Sequence, residues 1–566
     1  MAWTMRRILW LAAYLAAAAA AVTACDRGVV PILGQGEDGS EMLEPAVDGD
    51  LDAERPLDLE GVWSPLGKWG ADGDMGGDGY GAQGWECLIC DGSAPGSSAE
   101  ALVEMAVQLV GQEPDGDGRQ PYADPAPEEL YVSADDSNSQ SSPAIARSRI
   151  QNDDIVWPDL LRVWEFLNYY DFAYEEPLGG KAISVTPQLR PYDASEGIYA
   201  LQIGVQGKHV DEVRRQLNLT FCVDTSGSMT GQSILLVQEA MRAMAAHFRS
   251  GDRVSMVSWS TVQSVPLDSV VVSGPDDPAV LAAIDALSAE GSTDLHSGLV
   301  AAYALANENF IEDAMNRVVL LSDGGANVGV TDADLIAEEA EGGEADAVYL
   351  VGVGVGDSLT YNDELMDSVT DLGKGASVFI DSVEEAHHVF EDHFLANLEM
   401  IAHDVQIRIT LPPGFAMYEF LGEEYSEDPD EVEPQNLGPN DAMIVQQLIK
   451  TDEPDEVHAN DELEVRVTWT DAFTGLADDT EGVWTLQDLV DAEADQLRKG
   501  DAIVVYVQTL GRIAEAISGD WDMDAAAVEC AWGASVLDDA IAALDDPDLV
   551  EVATLLDEYC AEFVEY

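Results

Sequence analysis

Short apolar runs alternate with amphipathic stretches between residues 215 and 398 of the chain. The apolar runs predict strands, and the stretches whose apolar residues recur at helical spacing predict helices. Strands that are apolar on both faces and separated by helices are typical of a mostly parallel sheet covered on both sides. The strands are predicted at residues 217–223, 253–259, 317–321, 347–353 and 377–380, and the helices at 233–248, 278–287, 295–309, 332–341, 362–371 and from 383 onward.

A second pattern, in which apolar and polar residues alternate one by one, lies on either side of this region. It covers residues 198–205, 405–411 and 463–469, and a further strand-like run spans 182–189. Such alternation predicts antiparallel strands with one buried and one solvated face. Our hypothesis is that the strands on the two sides form one sandwich into which the α/β domain is inserted.

Helical periodicity appears in two further places. Residues 157–174 predict an amphipathic helix that precedes the first strands. The C-terminal segment, residues 484–566, predicts a helical region. Its helices are expected at 486–497, 502–517, 523–544 and 549–563.

The N-terminal residues have the pattern of an export signal. Two arginines precede an apolar segment, residues 8–21, which is shorter than the roughly 20 residues that a membrane-spanning helix needs. The segment ends at Val-Thr-Ala-Cys, which resembles a bacterial lipobox, in which the signal is cut before a cysteine that is then lipidated. We expect a signal peptide over residues 1–24 and a protein exported from a bacterial cytoplasm. Acyl chains on Cys25 would anchor it to the membrane, facing the periplasm or the exterior.

The composition predicts a tether and excludes one class of partner. Residues 25–143 are rich in Gly, Asp, Pro, Ser and Glu and cannot bury enough apolar surface to order, so we expect an acidic tether. The whole chain has 109 acidic and 25 basic residues, a formal net charge of -84. This charge excludes non-specific nucleic-acid binding, because displacing the phosphate counterions requires Lys and Arg.

The cysteines point to disulfides because export leads to an oxidising compartment. Cys87 and Cys90 form a C-x-x-C with no second ligand pair, so a local disulfide or two free thiols is expected rather than a zinc site. Cys530 and Cys560 are expected to bridge two C-terminal helices. Cys222 lies in an apolar strand pattern and is expected to be a buried free thiol.

Oxygen-bearing side chains follow the predicted strands at three places. Asp224-Thr225-Ser226-Gly227-Ser228 ends the first α/β strand, Gly291-Ser292-Thr293 lies between two predicted helices, and Ser322-Asp323-Gly324 ends the 317–321 strand. Ligands of open α/β sheets bind at the carboxyl ends of the strands. Carboxylates and hydroxyls without any soft ligand suit a hard cation.

These three motifs, in this order, resemble the von Willebrand factor A (VWA) family. The resemblance implies a Rossmann-like VWA domain with a metal ion-dependent adhesion site. Its ligands would be Asp224, Ser226, Ser228, Thr293 and Asp323, which would hold Mg²⁺, or Mn²⁺ or Ca²⁺ in its place. One coordination position would stay open for an Asp or Glu side chain of a protein partner.

The order of segments is also similar to a bacterial family of secreted or lipid-anchored VWA proteins. Residues 165–171 (EFLNYYD), 201–207 (LQIGVQG) and 327–330 (NVGV) match the pattern of its members. The resemblance extends from about residue 141 to 450 and implies a VWA-associated region at 144–210 and a VWA domain at 215–398. The periodicity adds a β-rich region at 401–480, hypothesised to pack with 181–207, and a C-terminal helical region at 484–566.

Recognition is the function that these features favour, and we expect a binding or adhesion protein rather than an enzyme. A metal-dependent hydrolase is the first alternative. The motifs contain no general base, and Ser226 is not in the G-x-S-x-G turn of a hydrolase nucleophile. A scaffold for envelope protein assembly, built on the helical tail, is the second alternative.

Overall fold

The computed structural model describes residues 128–135, 138–210, 214–324, 347–452, 454, 457–518 and 523–564. The predicted signal peptide, Cys25, the Cys87 and Cys90 pair and the helix predicted at 332–341 lie outside these residues. Of the helices that fall inside them, none is long and apolar enough to cross a membrane.

The described residues form the following strands and helices, numbered in chain order. The strands are β1 (Glu129–Ser133), β2 (Ile183–Asp193), β3 (Ile198–Gly207), β4 (Leu217–Asp224), β5 (Arg253–Trp259), β6 (Ser264–Val271), β7 (Met315–Ser322), β8 (Tyr349–Val355), β9 (Ser377–Ile380), β10 (Ala402–Thr410), β11 (Phe415–Phe420), β12 (Glu424–Ser426), β13 (Gln435–Leu437), β14 (Ala442–Thr451), β15 (Glu462–Asp471) and β16 (Ala477–Thr485). The α-helices are α1 (Ser141–Gln151), α2 (Val163–Tyr169), α3 (Gln232–Ala246), α4 (Pro278–Asp285), α5 (Leu295–Glu308), α6 (Asp363–Gly373), α7 (Val383–His387), α8 (Phe394–Leu398), α9 (Leu486–Asp491), α10 (Asp495–Ser518), α11 (Met523–Leu544) and α12 (Pro547–Val564).

The predicted α/β fold class is confirmed by a six-stranded sheet in the order β6-β5-β4-β7-β8-β9. The strands from β5 to β9 in this order run parallel to one another. Every residue of β4 and β7 is buried because one apolar cluster covers each face of the sheet. Burial on both faces explains why these strands are continuous apolar runs rather than alternating ones.

The edge strand β6 was not predicted from the sequence. It pairs antiparallel with β5, and most of its residues are exposed or only half-buried. An edge strand that buries one side chain, Leu267, and exposes most of the others needs neither a continuous apolar run nor strict alternation. It therefore carries no local pattern that distinguishes it from a loop.

The strands on either side of the α/β domain share one pair of packed sheets. One sheet has the order β11-β14-β3-β2, and the other has β12-β1-β10-β15-β16 with β13 paired to β10. β3 and β14 pair in an unbroken register from Ile198 opposite Lys450 to Gln206 opposite Ala442. A single apolar core takes side chains from both sheets, so the α/β domain is inserted between the two parts of this sandwich.

The range predicted as a tether, 25–143, is wrong at its C-terminal end. β1 lies within that range and pairs with β10, with Val132 opposite Ile407, and α1 begins at Ser141. Leu130 and Val132 are buried in the sandwich core. A five-residue strand with two buried apolar side chains is too short to show periodicity beside a Gly- and Asp-rich segment.

The single helix predicted at 157–174 is also wrong. A 3₁₀ turn at Pro158–Leu160 is followed by α2, and Tyr170 has extended backbone angles. α2 still buries apolar side chains, and its Phe166 packs edge-on against Tyr506 of α10 with ring centroids 6.0 Å apart. The apolar spacing therefore indicates buried surface, but the residues that carry it do not form one continuous helix.

The C-terminal helices cover the outer face of the sheet that contains β3 and β14. Gln446 Nε2 donates to Asp501 Oδ1 of α10 at 2.7 Å, and a Cβ at Gly500 would collide with Gln202. This polar contact layer buries the second face of β3 beneath α10. The disulfide between Cys530 and Cys560 joins α11 to α12, as predicted, and Cys222 is a buried free thiol.

Candidate metal centre at the carboxyl edge of the parallel sheet

Asp224 and Asp323 lie at the ends of two neighbouring parallel strands. The register places Val223 of β4 opposite Leu321 of β7, so the residues that follow both strands emerge at the same sheet edge. The side chain of Asp224 is fully buried, whereas Asp323 is half-buried. The two carboxyl groups therefore lie at one edge of the sheet, near enough for the charge of Asp323 to raise the pKa of Asp224.

Hydrogen bonds hold the Asp224 carboxylate in place. Its Oδ1 accepts the backbone N–H of Ser226 at 2.8 Å, and its Oδ2 accepts the hydroxyl of Ser322 at 2.9 Å. Burial raises the pKa of Asp224 above its ordinary value; these hydrogen bonds act in the opposite direction, and the neighbouring charge of Asp323 raises it further. A bound cation would relieve this penalty because it stabilises both ionised carboxyl groups.

Ser226 and Ser228 present two hydroxyls on the same side of a short turn. Their Oγ atoms are 3.0 Å apart, and a 3₁₀ turn over Gly227–Met229 connects them to the following helix. Ser226 is buried and Ser228 is exposed. The pair therefore extends from the buried carboxylate towards solvent.

The loop that carries Thr293 is attached directly to the Asp224 loop. The N–H of Gly227 donates to the Gly291 carbonyl at 3.1 Å, and the N–H of Glu290 donates to the Thr225 carbonyl at 2.7 Å. Gly291 has a φ of +90°, and a Cβ there would lie 2.7 Å from Thr261 Oγ1. Thr293 itself is exposed, two residues beyond this contact.

Two residues of the site were missed as functional candidates. Ser322 supports Asp224 from the neighbouring strand, and Gly291 supplies the backbone contact that positions the Thr293 loop. The sequence signal that could have identified Ser322 was its position directly before Asp323 in the motif. Its role required knowing that β4 and β7 are adjacent.

The donor groups of this edge suit a hard cation. Across the described ranges, no three His, Cys, Asp or Glu side chains are grouped in a way that could hold a metal ion. The site instead combines two carboxyl groups with serine hydroxyls, and oxygen ligands of this kind are those that Mg²⁺ and Ca²⁺ prefer.

Comparison with known proteins agrees with the motifs. Residues 219–326 match the family model described as the von Willebrand factor type A domain. The uncharacterized protein YfbK of Escherichia coli K12 is 32% identical over 269 residues, which are 46% of this chain and 46% of YfbK. Human inter-alpha-trypsin inhibitor heavy chain H3 is 24% identical over 151 residues, 26% of this chain and 17% of that protein.

Among solved structures, the von Willebrand factor type A protein from Catenulispora acidiphila is 14% identical with a TM-score of 0.42, over 63% of this chain and 87% of that one. The chain spans less than half the length of the two curated relatives above. The matched segment begins in β4 and ends just beyond Asp323, so it includes all five candidate ligands. The α/β domain of this chain is a von Willebrand factor type A domain.

Proposed function

We propose that the chain is an exported, lipid-anchored binding protein whose VWA domain recognises a carboxylate of a protein partner through a bound divalent cation. VWA domains generally mediate protein–protein interaction and adhesion, and most proteins that contain them are not enzymes. The observation that carries the proposal is the placement of Asp224 and Asp323 at the ends of the paired strands β4 and β7, beside two serine hydroxyls that are 3.0 Å apart.

Each candidate ligand has a distinct role in this proposal. Ser226 and Ser228 would ligate the cation through their hydroxyls, and Thr293 would add a third hydroxyl from the attached loop. Asp224 and Asp323 would neutralise the charge directly or through water. A bound Mg²⁺ would supply an electrophilic centre whose open position a partner's Asp or Glu fills.

Titration of Mg²⁺ into the purified chain by calorimetry tests the metal. We expect saturable binding that is lost in Asp224→Ala and in Asp323→Ala. Asp268→Ala, an exposed aspartate of β6, is the matched control and should bind as the parent does. At a hundred times the dissociation constant, Mg²⁺ should stabilise the fold by about 2.7 kcal/mol. Equal binding by parent and Asp224→Ala would refute the metal site.

The lipid anchor needs a separate test because it lies outside the described residues. Expression in a Gram-negative host with labelled palmitate should label the chain, and Cys25→Ala should abolish the label and release the chain from membranes. A chain that stays unlabelled would remove the anchor from the proposal without affecting the metal site.

A hydrolase would use Ser226 as a nucleophile and would need a base beside it. The Ser226 hydroxyl lies 3.0 Å from that of Ser228 and also bonds to the Asp224 carboxylate, which the proposal assigns to the cation and not to proton abstraction. Recognition therefore fits the geometry better than turnover. Substrate hydrolysis that disappears in Ser226→Ala would reverse this preference.

A further inference from the structure

Exposed aliphatic side chains stand on three segments that contact the candidate metal centre. Leu235 of α3 is 53% exposed, Val262 after β5 is 72% exposed, and Leu359 after β8 is 53% exposed. We call Leu235, Val262 and Leu359 the collar. A single exposed aliphatic residue is ordinary on a protein surface, so the shared location of the three is the informative feature.

Val262 stands beside the loop that carries Thr293. Its neighbour Thr261 accepts the backbone N–H of Ser292 at 2.9 Å, and the two hydroxyls are 3.1 Å apart. Ser292 directly precedes Thr293. Val262 is therefore adjacent in sequence to a residue that contacts the third hydroxyl-bearing loop.

Leu359 stands beside the Asp323 end of the site, and Leu235 lies in the first turn of α3, which begins there. A Cβ at Gly356 would lie 2.7 Å from Ser233 Oγ and 3.7 Å from Asp323 Cβ, so the start of α3 and the β8 loop meet next to Asp323. A Cβ at Gly324 would lie 2.7 Å from the Asn362 nitrogen, which places the far end of the β8 loop against the residue after Asp323.

The charge of these segments is one-sided. They contain no lysine or arginine of their own, although Arg149 and Arg162 contact the 355–363 segment from other elements. They carry exposed acidic residues such as Glu290 and Asp357. A partner with several acidic residues would be repelled here unless each of them reached the cation, and only one position on the cation is open. The segments concerned are 224–235, 259–265, 290–297, 322–324 and 355–363.

We infer that the partner presents a single acidic residue flanked by aliphatic and basic side chains. The acidic residue would meet the cation, the aliphatic neighbours would pack on the collar, and the basic residues would face the surrounding carboxylates. This inference rests on the proposed metal-dependent binding and adds the class of segment that the site accepts.

A displayed peptide library with a central aspartate and randomised flanks tests it on the purified chain. The library is selected in Mg²⁺ and eluted with EDTA, with a central-asparagine library in parallel. We expect EDTA-eluted peptides from the aspartate library only, enriched in Leu, Ile, Val, Lys and Arg. No recovery, no enrichment, or enrichment of acidic flanks overturns the inference.

Substitutions in the collar give a second measurement with an enriched peptide as the probe. Val262→Ser and Leu359→Ser should each weaken peptide binding about fivefold to tenfold, while Mg²⁺ binding stays unchanged. Val483→Ser is the control, because Val483 is 50% exposed on β16 in a different domain. Peptide affinity that does not respond to either collar variant overturns the inference.

The Mg²⁺ titration distinguishes a failure of the proposed metal binding from a failure of the inferred partner class. If Mg²⁺ does not bind, the proposed function fails and the inference fails with it. If Mg²⁺ binds but the peptides show no flank preference, the collar is refuted alone and the metal site stands.

Discussion

Ser322 Oγ donates a 2.9 Å hydrogen bond to Asp224 Oδ2 across the ends of two parallel strands. Ser322 Oγ also accepts the backbone N–H of Gly324 at 3.2 Å, and this bond shapes the turn that follows β7. One buried hydroxyl therefore aligns the Asp224 carboxylate and also shapes the turn that carries Asp323. Residues that orient a metal ligand in this way contribute to affinity without touching the metal.

Replacement of Ser322 by alanine should weaken Mg²⁺ binding about tenfold, because the Asp224 carboxylate loses a donor and its orientation. Calorimetric titration measures the change. The control is Ser368→Ala on α6, where the hydroxyl bonds only to the Glu364 carbonyl on an exposed surface. An unchanged Mg²⁺ affinity in Ser322→Ala would show that the hydroxyl does not position the ligand.

Replacement of Arg147 should destabilise the fold strongly. Its guanidinium bonds to both carboxylate oxygens of Asp381, at 2.8 and 2.9 Å, and to Glu385 at 2.6 Å. Both acidic side chains are almost fully buried. Arg147→Met leaves these charges unpaired, so we expect a loss of about 3–5 kcal/mol in the free energy of unfolding, measured by urea titration.

The control for this variant is Arg242→Met on α3, whose ion pairs with Glu239 and Asp285 are partly exposed to solvent. Exposed ion pairs contribute about 0–1 kcal/mol, so the urea midpoint should move little. Similar losses in both variants would contradict the view that α1 is held to the VWA domain by a buried charge network.

Reduction of the Cys530–Cys560 disulfide should destabilise the C-terminal helices. The cysteines are 30 residues apart, and closing a loop of that length reduces the entropy of the unfolded chain. The expected loss is roughly 3–4 kcal/mol. Urea unfolding with and without a reductant measures it. The Cys530→Ser, Cys560→Ser double variant should be insensitive to the reductant; if it loses the same stability on reduction, the disulfide is not the cause.

Stability at mildly acidic pH should depend on Asp441. Burial raises the pKa of this carboxyl to about 6, although the Ala442 N–H and the charge of His393 act in the opposite direction. The folded chain therefore binds the proton more tightly than the unfolded chain. The contribution of Asp441 to stability is largest below the ordinary carboxyl pKa and is lost as the pH rises through about 6.

Asp441→Asn should remove this part of the pH dependence. Urea unfolding of the parent and the variant at a series of pH values from 4 to 7 gives the difference between the two curves. Asp268→Asn, on exposed β6, is the control and should retain the slope of the parent. Parallel curves for the parent and Asp441→Asn would show that the group titrates normally.

The chemistry of the site could be predicted from the sequence because its residues are arranged locally. Asp224, Ser226 and Ser228 lie in one turn after an apolar strand, and Asp323 follows another. A strand that is apolar on both faces identifies a parallel sheet, and the ends of parallel strands lie at one edge. The sequence therefore predicts the identity of four candidate ligands and their approximate location in the fold.

The contacts between distant segments could not be predicted in the same way. β1 pairs with β10, β3 pairs with β14, and Ser322 reaches Asp224 only because β4 and β7 are neighbours. Hydrophobic periodicity is read within a window of roughly 11–18 residues, so it identifies an element but not its partner. The free energy that selects a partner comes from apolar surface buried between segments that are far apart in the chain.

The sequence by itself thus determined the α/β domain, the hard oxygen donors at its strand ends and the C-terminal disulfide. The tertiary structure confirmed the hypothesis that the flanking strands share one core. It alone showed that β1 and α1 belong to the fold and that Ser322 and Gly291 support the site. The difference has a physical reason. Turn conformation and strand burial depend on residues that are adjacent in the chain. Strand pairing depends on which distant apolar surfaces are buried against each other.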